Sequence, residues 1–438
     1  MTPPRTLVIV GYGMTAHRLT EELRSRDREG AWRILVLGDE PRPAYDRVAL
    51  ADRLAGATEA DLELAGPRTR RDPLVQARTA APVVGIERAS RTVLTADGTR
   101  VPYDALVLAT GAAAFRPPVP GADLPGCFPY RTLADVDAIR GAAAPGAPVV
   151  VVGGGLLGLE TAEALRRHLR MRPHVVEAAP RLMPAQLDST AARLLAGWLR
   201  RAGLRLSCGV PLRSVDAGAD GRVCGVTLED GSRIPAGLVV FSAGTRPRDE
   251  LARTGGPARG ERGGFLVDDL GRTGIADVWA IGDCAAVHGR CHGTVAPGYR
   301  MAEAVAGQLL GAPAQNGPGP AADGAATVLK VPGVEVASLG DVHAQAPGAV
   351  TFSRTRGAGD GGLGDRYAKL VLDSEARVLL GAVLVGYGHA YPSLRSAVGR
   401  ELACAAEDLL GEVGLPAQGA EPDPATAPVG PSCRTSPR

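Results

Sequence analysis

Residues Val149–Glu160 read VVVVGGGLLGLE and decide the fold of this chain. The four valines predict a buried strand, and the run from Leu156 onward predicts a helix. Between them Gly153, Gly155 and Gly158 have the spacing G-x-G-x-x-G. In that spacing the first glycine permits a tight turn, the second lets a pyrophosphate approach the backbone, and the third allows close packing of helix on strand. The stretch therefore predicts a dinucleotide-binding unit, with phosphates held at the helix N-terminus.

A carboxylate follows the next predicted strand, Pro173–Glu177. Glu177 lies 19 residues after Gly158. A carboxylate at this position can hydrogen-bond a ribose 2′-OH, which favours NADH over NADPH. Arg181 could meet a 2′-phosphate instead, so NADPH stays open as an alternative. A glycine-rich turn in an unrelated α/β protein would not explain the strand, the helix and the acid together.

A second unit of the same type begins near the N-terminus. It begins with an apolar strand, Thr6–Val10, and a glycine loop with Gly11, Gly13 and Ala16. A helix to about Arg26 follows, and then a second strand, Arg33–Leu37, which is followed by the acids Asp39 and Glu40. Two such units in one chain imply two dinucleotides, and the usual pair is FAD with NAD(P)H.

Further strand ends repeat this pattern. One strand ends at Thr110-Gly111 and another at Ala243-Gly244, one in each half of a weak internal repeat. A later apolar strand ends at Gly282-Asp283, and a helix is predicted from Pro297 to Leu310. An aspartate in this position can bind a polyol hydroxyl, and its alternative role is a helix N-cap.

Composition limits the remaining possibilities. The chain has 438 residues, which is enough for two or three domains, and its net charge of +2 gives no bulk attraction to nucleic acid. The sequence shows no apolar run long enough to span a membrane and no signal-peptide pattern at Met1–Leu7. Its seven cysteines are scattered without a C-x-x-C pair, which predicts reduced thiols in the cytoplasm.

Taken together, these motifs resemble those of the FAD/NAD(P)-dependent pyridine nucleotide oxidoreductases, the two-dinucleotide-binding-domain flavoproteins. Within that superfamily the chain looks most like the flavin module of assimilatory NADH nitrite reductase large subunits and like rubredoxin reductases. The local matches are Tyr45-Asp-Arg47, Tyr130-Arg131-Thr132, Leu156–Glu160, Leu182-Met183, Gln186-Leu-Asp188 and Gly293–Pro297.

The resemblance implies an α/β fold with two Rossmann-like dinucleotide-binding domains, the NAD domain being inserted in the FAD domain, plus a small α+β C-terminal domain. The expected boundaries are 1–112 and 242–315 for the FAD-binding domain, 113–241 for the NAD(P)H-binding domain, 327–411 for the C-terminal domain and 412–438 for a disordered tail.

The resemblance also implies residue roles. For FAD they fall on Gly11, Gly13, Ala16, Asp39 or Glu40, Arg47, Val83, Thr110, Gly111, Arg131, Gly244, Gly282, Asp283 and Val295. For NADH they fall on Gly153, Gly155, Gly158 and Glu177. Glu160 is expected in the first turn of its helix, directed at the nicotinamide as a catalytic residue, and its alternative role is a carboxylate favoured by the helix dipole. A surface salt bridge is the alternative role for Arg131.

The absence of one residue type indicates the electron path. Disulfide reductases of this superfamily use cysteines near the flavin, but Pro41–Arg53 contains none, so no thiolate can form there. We therefore expect FAD to pass electrons directly to an external acceptor, which is an iron–sulfur protein, rubredoxin or a nitrite or nitrate reductase component. An NADH oxidase using oxygen or a quinone, and a slow-turnover flavin-bound signalling protein, remain alternatives.

The remaining cysteines do not predict a metal site. Cys284, His288, Cys291 and His292 lack the spacing of a standard zinc site, and we predict no metal there. After Ala326 the sequence has only two more cysteines, Cys404 and Cys433. The expectation is therefore that this chain alone does not reduce nitrite to ammonia.

Overall fold

The structure, a computed structural model, describes residues 3–64, 71–312, 326–357, 364–402, 404–406 and 408–409. It divides into two units. Unit 1 comprises Met1–Phe115, Tyr130–Asp137 and Gly244–Pro320, and unit 2 comprises Arg116–Pro129, Ala138–Ala243 and Ala321–Arg438. Both units are discontinuous in sequence.

The strands, in chain order, are β1 Arg5–Val10, β2 Trp32–Leu37, β3 Val75–Arg78, β4 Val83–Glu87, β5 Thr92–Thr95, β6 Arg100–Pro102, β7 Ala105–Leu108, β8 Ala112–Ala114, β9 Cys127–Pro129, β10 Pro148–Val152, β11 Arg172–Glu177, β12 Arg205–Cys208, β13 Leu212–Ala217, β14 Val223–Leu228, β15 Arg233–Pro235, β16 Leu238–Phe241, β17 Thr245–Pro247, β18 Phe265–Val267, β19 Val278–Ala280, β20 Ala285–Val287, β21 Thr327–Val331, β22 Val334–Gly340, β23 Val350–Arg356, β24 Arg366–Leu372 and β25 Leu379–Val385. The α-helices are Met14–Arg26, Leu50–Ala55, Glu59–Leu62, Leu133–Ala142, Leu156–Arg167, Ser189–Arg201, Val295–Leu309 and Tyr391–Ala397.

Unit 1 is built on a parallel sheet of order β19-β7-β1-β2-β3. Its central strands are continuous apolar runs because both faces of such a sheet are covered. Leu7, Val8 and Ile9 of β1 are fully buried. The helices Met14–Arg26 and Val295–Leu309 pack against each other in this unit. The glycine loop directly follows the last residue of β1 and therefore lies at the carboxyl edge of the sheet.

Unit 2 contains a second parallel sheet, of order β12-β11-β10-β16-β9. The four valines of β10 are buried, as the sequence predicts for a central strand. One face packs on the antiparallel sheet β13-β14-β15, where Val150 and Phe241 share a core with Val226. The amphipathic helix Ser189–Arg201 lies in the same unit.

Unit 2 also includes a third, antiparallel sheet of order β21-β22-β25-β24-β23. In this sheet β24 and β25 pair in antiparallel register as a hairpin. Its core holds Leu370, Leu384 and Tyr387 with Leu394 of the last described helix.

The predicted fold class is thus confirmed: the chain has two Rossmann-like parallel sheets, and a small α+β region follows them. The exact domain boundaries stay a prediction. The predicted tail, 412–438, lies outside the described residues.

Candidate functional site: two glycine cradles and their acidic partners

The loop after β10 has the steric properties of a phosphate cradle. Gly153 has φ of +117°, and a Cβ there would lie 2.2 Å from the carbonyl oxygen of Ser242. A Cβ on Gly158 would lie 2.0 Å from the carbonyl oxygen of Gly153, so only glycine lets the helix pack this closely. Gly155 is the N-cap of the helix Leu156–Arg167, and a Cβ there would meet nothing within 4 Å. The first N–H groups of the helix therefore remain accessible to an anion.

Glu177 lies beside this loop at the end of β11. Its carboxylate accepts hydrogen bonds from the backbone N–H groups of Gly154, at 2.6 Å, and Ala179, at 2.7 Å. Arg181, the alternative contact for a 2′-phosphate, donates to the carbonyl oxygen of Leu187 at 3.1 Å. The acid is thus fixed at the loop, whereas the arginine is engaged with backbone.

Glu160 has a different environment from the one expected. The helix begins at Leu156 and has no acid in its first turn, so the prediction that placed Glu160 in that turn was wrong by one residue. The side chain is buried, and its Oε1 accepts a hydrogen bond of 2.8 Å from the backbone N–H of Lys330 in β21. A favourable interaction with the helix dipole fades beyond the first turn, so it does not account for this acid.

The glycine loop of unit 1 has the same design. Gly11 has φ of +105°, and a Cβ there would lie 2.2 Å from the carbonyl oxygen of Ala109. Gly13 is the N-cap of the helix Met14–Arg26 and faces open space, while Ala16 is buried against the core. Here alanine replaces the third glycine, and the first two keep their conformational roles.

Glu40 and Arg47, two predicted FAD contacts, meet at Tyr45. The Tyr45 hydroxyl donates to Glu40 Oε2 at 2.8 Å and accepts from Arg47 at 2.7 Å, and Arg47 also pairs with Glu40 directly. Burial raises the pKa of Tyr45 well above its ordinary value, so the hydroxyl stays protonated. Burial lowers the pKa of Arg47, but Tyr45 and Glu40 outweigh it, and its net pKa is raised.

Arg131 extends this network. Its carbonyl oxygen accepts from Arg47 at 3.2 Å, and its guanidinium donates to Asp283 at 2.6 Å and to the carbonyl oxygen of Ala112 at 3.1 Å. Both side chains of the Arg131–Asp283 pair are about four-fifths buried, so this is not a surface salt bridge. The N-cap of the short turn Gly282–Cys284 is Ile281, so Asp283 does not fill that alternative role.

The other predicted FAD contacts of unit 1 lie outside the hydrogen-bond network of Glu40, Arg47 and Arg131. Asp39 pairs with Arg248, whose carbonyl oxygen accepts from the Thr110 hydroxyl. Gly111 and Gly244 flank the short antiparallel pair β8–β17. A Cβ on Gly282 would lie 2.9 Å from Thr15 Oγ1. The structure shows Val83 at the start of β4 and Val295 at the start of the helix Val295–Leu309, with no polar contact that tests their roles.

The two cysteines that follow Asp283 in the sequence, Cys284 and Cys291, have thiols that resist ionisation. Cys284 is fully buried, and burial raises the pKa of its thiol. Burial also raises the pKa of Cys291 to about 11. His288 bonds Asp269 at 2.8 Å. Over the described ranges, no group of three or more His, Cys, Asp and Glu side chains is arranged to hold a metal ion.

Three contributors were not singled out from sequence. Tyr45 was noted only as part of a family match, Arg248 follows a proline with no motif around it, and Lys330 contributes through its backbone. Arg248 and Lys330 carry no local signal, because their partners Asp39 and Glu160 lie 209 and 170 residues away in sequence. Tyr45 has near partners in Glu40 and Arg47, but no sequence pattern shows that its hydroxyl joins them. In the part of the chain that the structure describes, no helix is long and apolar enough to cross a membrane.

Comparison with known proteins identifies relatives of this architecture. Residues 5–308 match the family model described as pyridine nucleotide-disulphide oxidoreductase. The chain is 41% identical over 394 residues to the nitrite reductase [NAD(P)H] large subunit of Klebsiella oxytoca, covering 90% of this chain and 40% of that protein. It is 36% identical to the biphenyl dioxygenase system ferredoxin–NAD(+) reductase component of Paraburkholderia xenovorans, over 64% of this chain and 67% of that protein.

A solved structure agrees with these relationships. The crystal structure of the ferredoxin reductase for the CYP199A2 system from Rhodopseudomonas palustris superimposes with a TM-score of 0.76 at 26% identity, covering 93% of this chain and 100% of that one. The chain spans less than half the length of the nitrite reductase large subunits that it matches.

Proposed function

The chain belongs to the pyridine nucleotide-disulphide oxidoreductase family, and from that premise we propose that it is an NADH-dependent FAD oxidoreductase that passes electrons to an external redox partner. The observation that carries this proposal is the pair of glycine cradles. In each one, a central glycine, Gly13 or Gly155, faces open space at a helix N-terminus. Two such cradles suit two dinucleotides.

The residues of unit 1 fit FAD. Gly11 and Gly13 would hold the pyrophosphate, since a Cβ at Gly11 has no room and a Cβ position at Gly13 is open. The network of Glu40, Arg47 and Arg131 would hold polar groups of the cofactor. When bound, FAD accepts a hydride as two electrons and can release electrons one at a time. We assign the residues of this network to binding and orientation.

The residues of unit 2 fit NADH. Gly155 leaves the helix N-terminus accessible, and Glu177 presents a fixed carboxylate for a ribose 2′-OH. Arg181 already donates to a backbone carbonyl oxygen, so it is less suited to bind the 2′-phosphate of NADPH, and we favour NADH. Glu160 is the candidate catalytic residue, although its carboxylate also bonds a backbone N–H of unit 2.

Two observations bear on the electron acceptor: the names of the relatives and the absence of cysteine from Pro41–Arg53. One relative is named a ferredoxin–NAD(+) reductase component and another a nitrite reductase large subunit. Pro41–Arg53 has no cysteine, so no thiol relay forms there. We infer that the acceptor is a small iron–sulfur protein, rubredoxin or a nitrite or nitrate reductase component, and that the enzyme works in the cytoplasm.

The test is anaerobic reduction of the purified protein. We expect bound flavin whose absorbance is bleached by NADH faster than by NADPH, followed by reoxidation with a one-electron acceptor such as ferricyanide or a [2Fe–2S] ferredoxin. Protein that retains no added FAD, or bound FAD that NADH does not bleach, would refute the proposal. Oxygen uptake as fast as ferricyanide reduction would favour the oxidase, and a stable charge-transfer complex without acceptor reduction would favour the signalling protein.

A further inference from the structure

A cavity of about 480 Å³ opens in unit 2 where the strands of its parallel sheet begin. Pro148, Arg172 and Arg205, the first residues of the adjacent strands β10, β11 and β12, line it. Gly153 follows the other end of β10. The cavity therefore lies at the edge of the sheet opposite to the glycine loop and is a separate site.

The lining of this cavity is basic because of the strand register. Arg172 and His174 alternate along β11, so their side chains lie on the same face of the sheet. Arg205 of β12 pairs in parallel register with His174 and shares that face. Arg166, near the end of the helix Leu156–Arg167, adds a third guanidinium to the lining.

Two of these charges have no counter-ion. Glu163 neutralises Arg166 through two hydrogen bonds of 2.8 Å. Across the residues that the structure describes, neither Arg172 nor Arg205 has a carboxylate within ion-pair distance, and the lining contains no acid. Both guanidinium groups are exposed and carry no ion pair with a described residue, so an anion that entered the cavity would be attracted to two free positive charges.

Arg172 and Arg205 are exposed to solvent, and the helix dipole accounts for only one of the three arginines. Cations in the last turn of a helix complement its dipole, and Arg166 is in that position. Arg172 and Arg205 begin strands, so no helix dipole explains them.

The rest of the lining is apolar. Met171 and Ile234 are buried, with 3% and 8% of their surface exposed, and prolines complete this wall. A guanidinium pair beside an apolar wall suits a molecule with a charged end and an organic body. Guanidinium groups bind phosphate oxygens through paired, charge-assisted hydrogen bonds.

We propose that this cavity binds an organic phosphate, with Arg172 and Arg205 on the phosphate group and Met171 and Ile234 against the organic part. This site is independent of the proposed oxidoreductase activity, since it uses none of the cradle residues. It offers the chain a third place, besides the two glycine cradles, at which a phosphorylated small molecule is recognised.

The test is calorimetric titration of the full-length protein with phenyl phosphate, which joins a phosphate to an apolar ring. We expect saturable binding that weakens at least about tenfold in the double variant Arg172→Gln/Arg205→Gln. The matched control is Arg193→Gln, which removes an exposed arginine of the helix Ser189–Arg201 outside the cavity. Binding at the glycine loops would persist in the double variant, so only the component lost with the two arginines belongs to the cavity.

Titrations with two further compounds test which class of ligand the cavity binds. Inorganic phosphate should bind at least about threefold more weakly than phenyl phosphate, and benzyl alcohol should give no saturable heat, if both halves of the cavity contribute. Equal affinity for phenyl phosphate and inorganic phosphate would overturn the assignment to an organic phosphate. Unchanged phenyl phosphate binding in the double variant, or no saturable binding at all, would overturn the site. Should the double variant unfold, the single change Arg205→Gln gives the same comparison.

Discussion

The carboxylate of Glu160 accepts a hydrogen bond from the backbone N–H of Lys330, 170 residues further along the chain. This contact joins the helix after the glycine loop of unit 2 to the first strand of the antiparallel sheet in the same unit. A buried acceptor that satisfies a backbone donor contributes to stability in its own right. Glu160 therefore has a structural role in addition to the catalytic one that we propose.

Two substitutions separate these roles. Glu160→Gln keeps an oxygen that can accept from the Lys330 N–H, so the denaturation midpoint should be nearly unchanged. Glu160→Ala leaves that donor without this partner and should lower the free energy of unfolding by about 1–3 kcal/mol. If Glu160 also orients the nicotinamide, Glu160→Gln should slow flavin bleaching by NADH at least about tenfold. If NADH bleaches the flavin of the glutamine variant at the wild-type rate, Glu160 has only a structural role.

The glycine cradles offer a matched pair of alanine substitutions. Gly155→Ala adds a methyl group in open space at an N-cap, so its cost in folding should stay below about 1 kcal/mol. Gly158→Ala places the methyl group against the Gly153 carbonyl oxygen and should cost about 1–3 kcal/mol. Only Gly155→Ala should raise the KM for NADH, about tenfold, in a protein of normal stability. A normal KM in that variant would show that no phosphate lies over this glycine.

The glycines of these loops can be predicted from the sequence, whereas the partners of the nearby acids cannot. The role of Gly158 depends on the Gly153 carbonyl oxygen, which lies within the same motif. Gly153 meets Ser242, which is distant in sequence, but the G-x-G-x-x-G spacing itself predicts a tight turn there. The Glu160–Lys330 contact and the cavity of Arg172 and Arg205 depend on how distant strands pair, and no local pattern encodes that register. The sequence therefore predicted the cradles and the α/β fold class, whereas the partners of their acids required the structure.

Glu177 should control the choice of nicotinamide cofactor. Its carboxylate accepts two backbone N–H groups and would also accept a ribose hydroxyl. Glu177→Gln replaces one acceptor oxygen by an amide nitrogen that faces a donor, so we expect kcat/KM for NADH to fall at least about tenfold. The value for NADPH should fall less, because loss of the negative charge removes repulsion of its 2′-phosphate. Equal losses for both cofactors would indicate that Glu177 serves only the loop.

The Arg131–Asp283 pair should determine how firmly flavin is held. Arg131→Gln removes a partly buried charge and leaves Asp283 without its ionic partner. We expect at least about tenfold weaker FAD binding, measured as flavin released on dilution, together with a lower melting temperature. Arg116→Gln is the control, because Arg116 pairs with the almost fully exposed Asp123 and should change neither quantity. Full flavin retention in Arg131→Gln would remove this pair from the cofactor site.

Electron transfer should not depend on any thiol. Cys284 is buried with a raised pKa, and the pKa of Cys291 is about 11, so at pH 8 only about a thousandth of the Cys291 thiol is ionised. Among the six cysteines that the structure describes, Cys224 is the exposed one and should react with iodoacetamide before the other five, as peptide mass spectrometry would show. The alkylated native protein should keep its rate of NADH-dependent ferricyanide reduction, and Cys224→Ser should match it. Loss of turnover in proportion to the alkylation of one cysteine other than Cys224 would mean that sulfur takes part in the reaction, and direct transfer from flavin to the acceptor would be wrong.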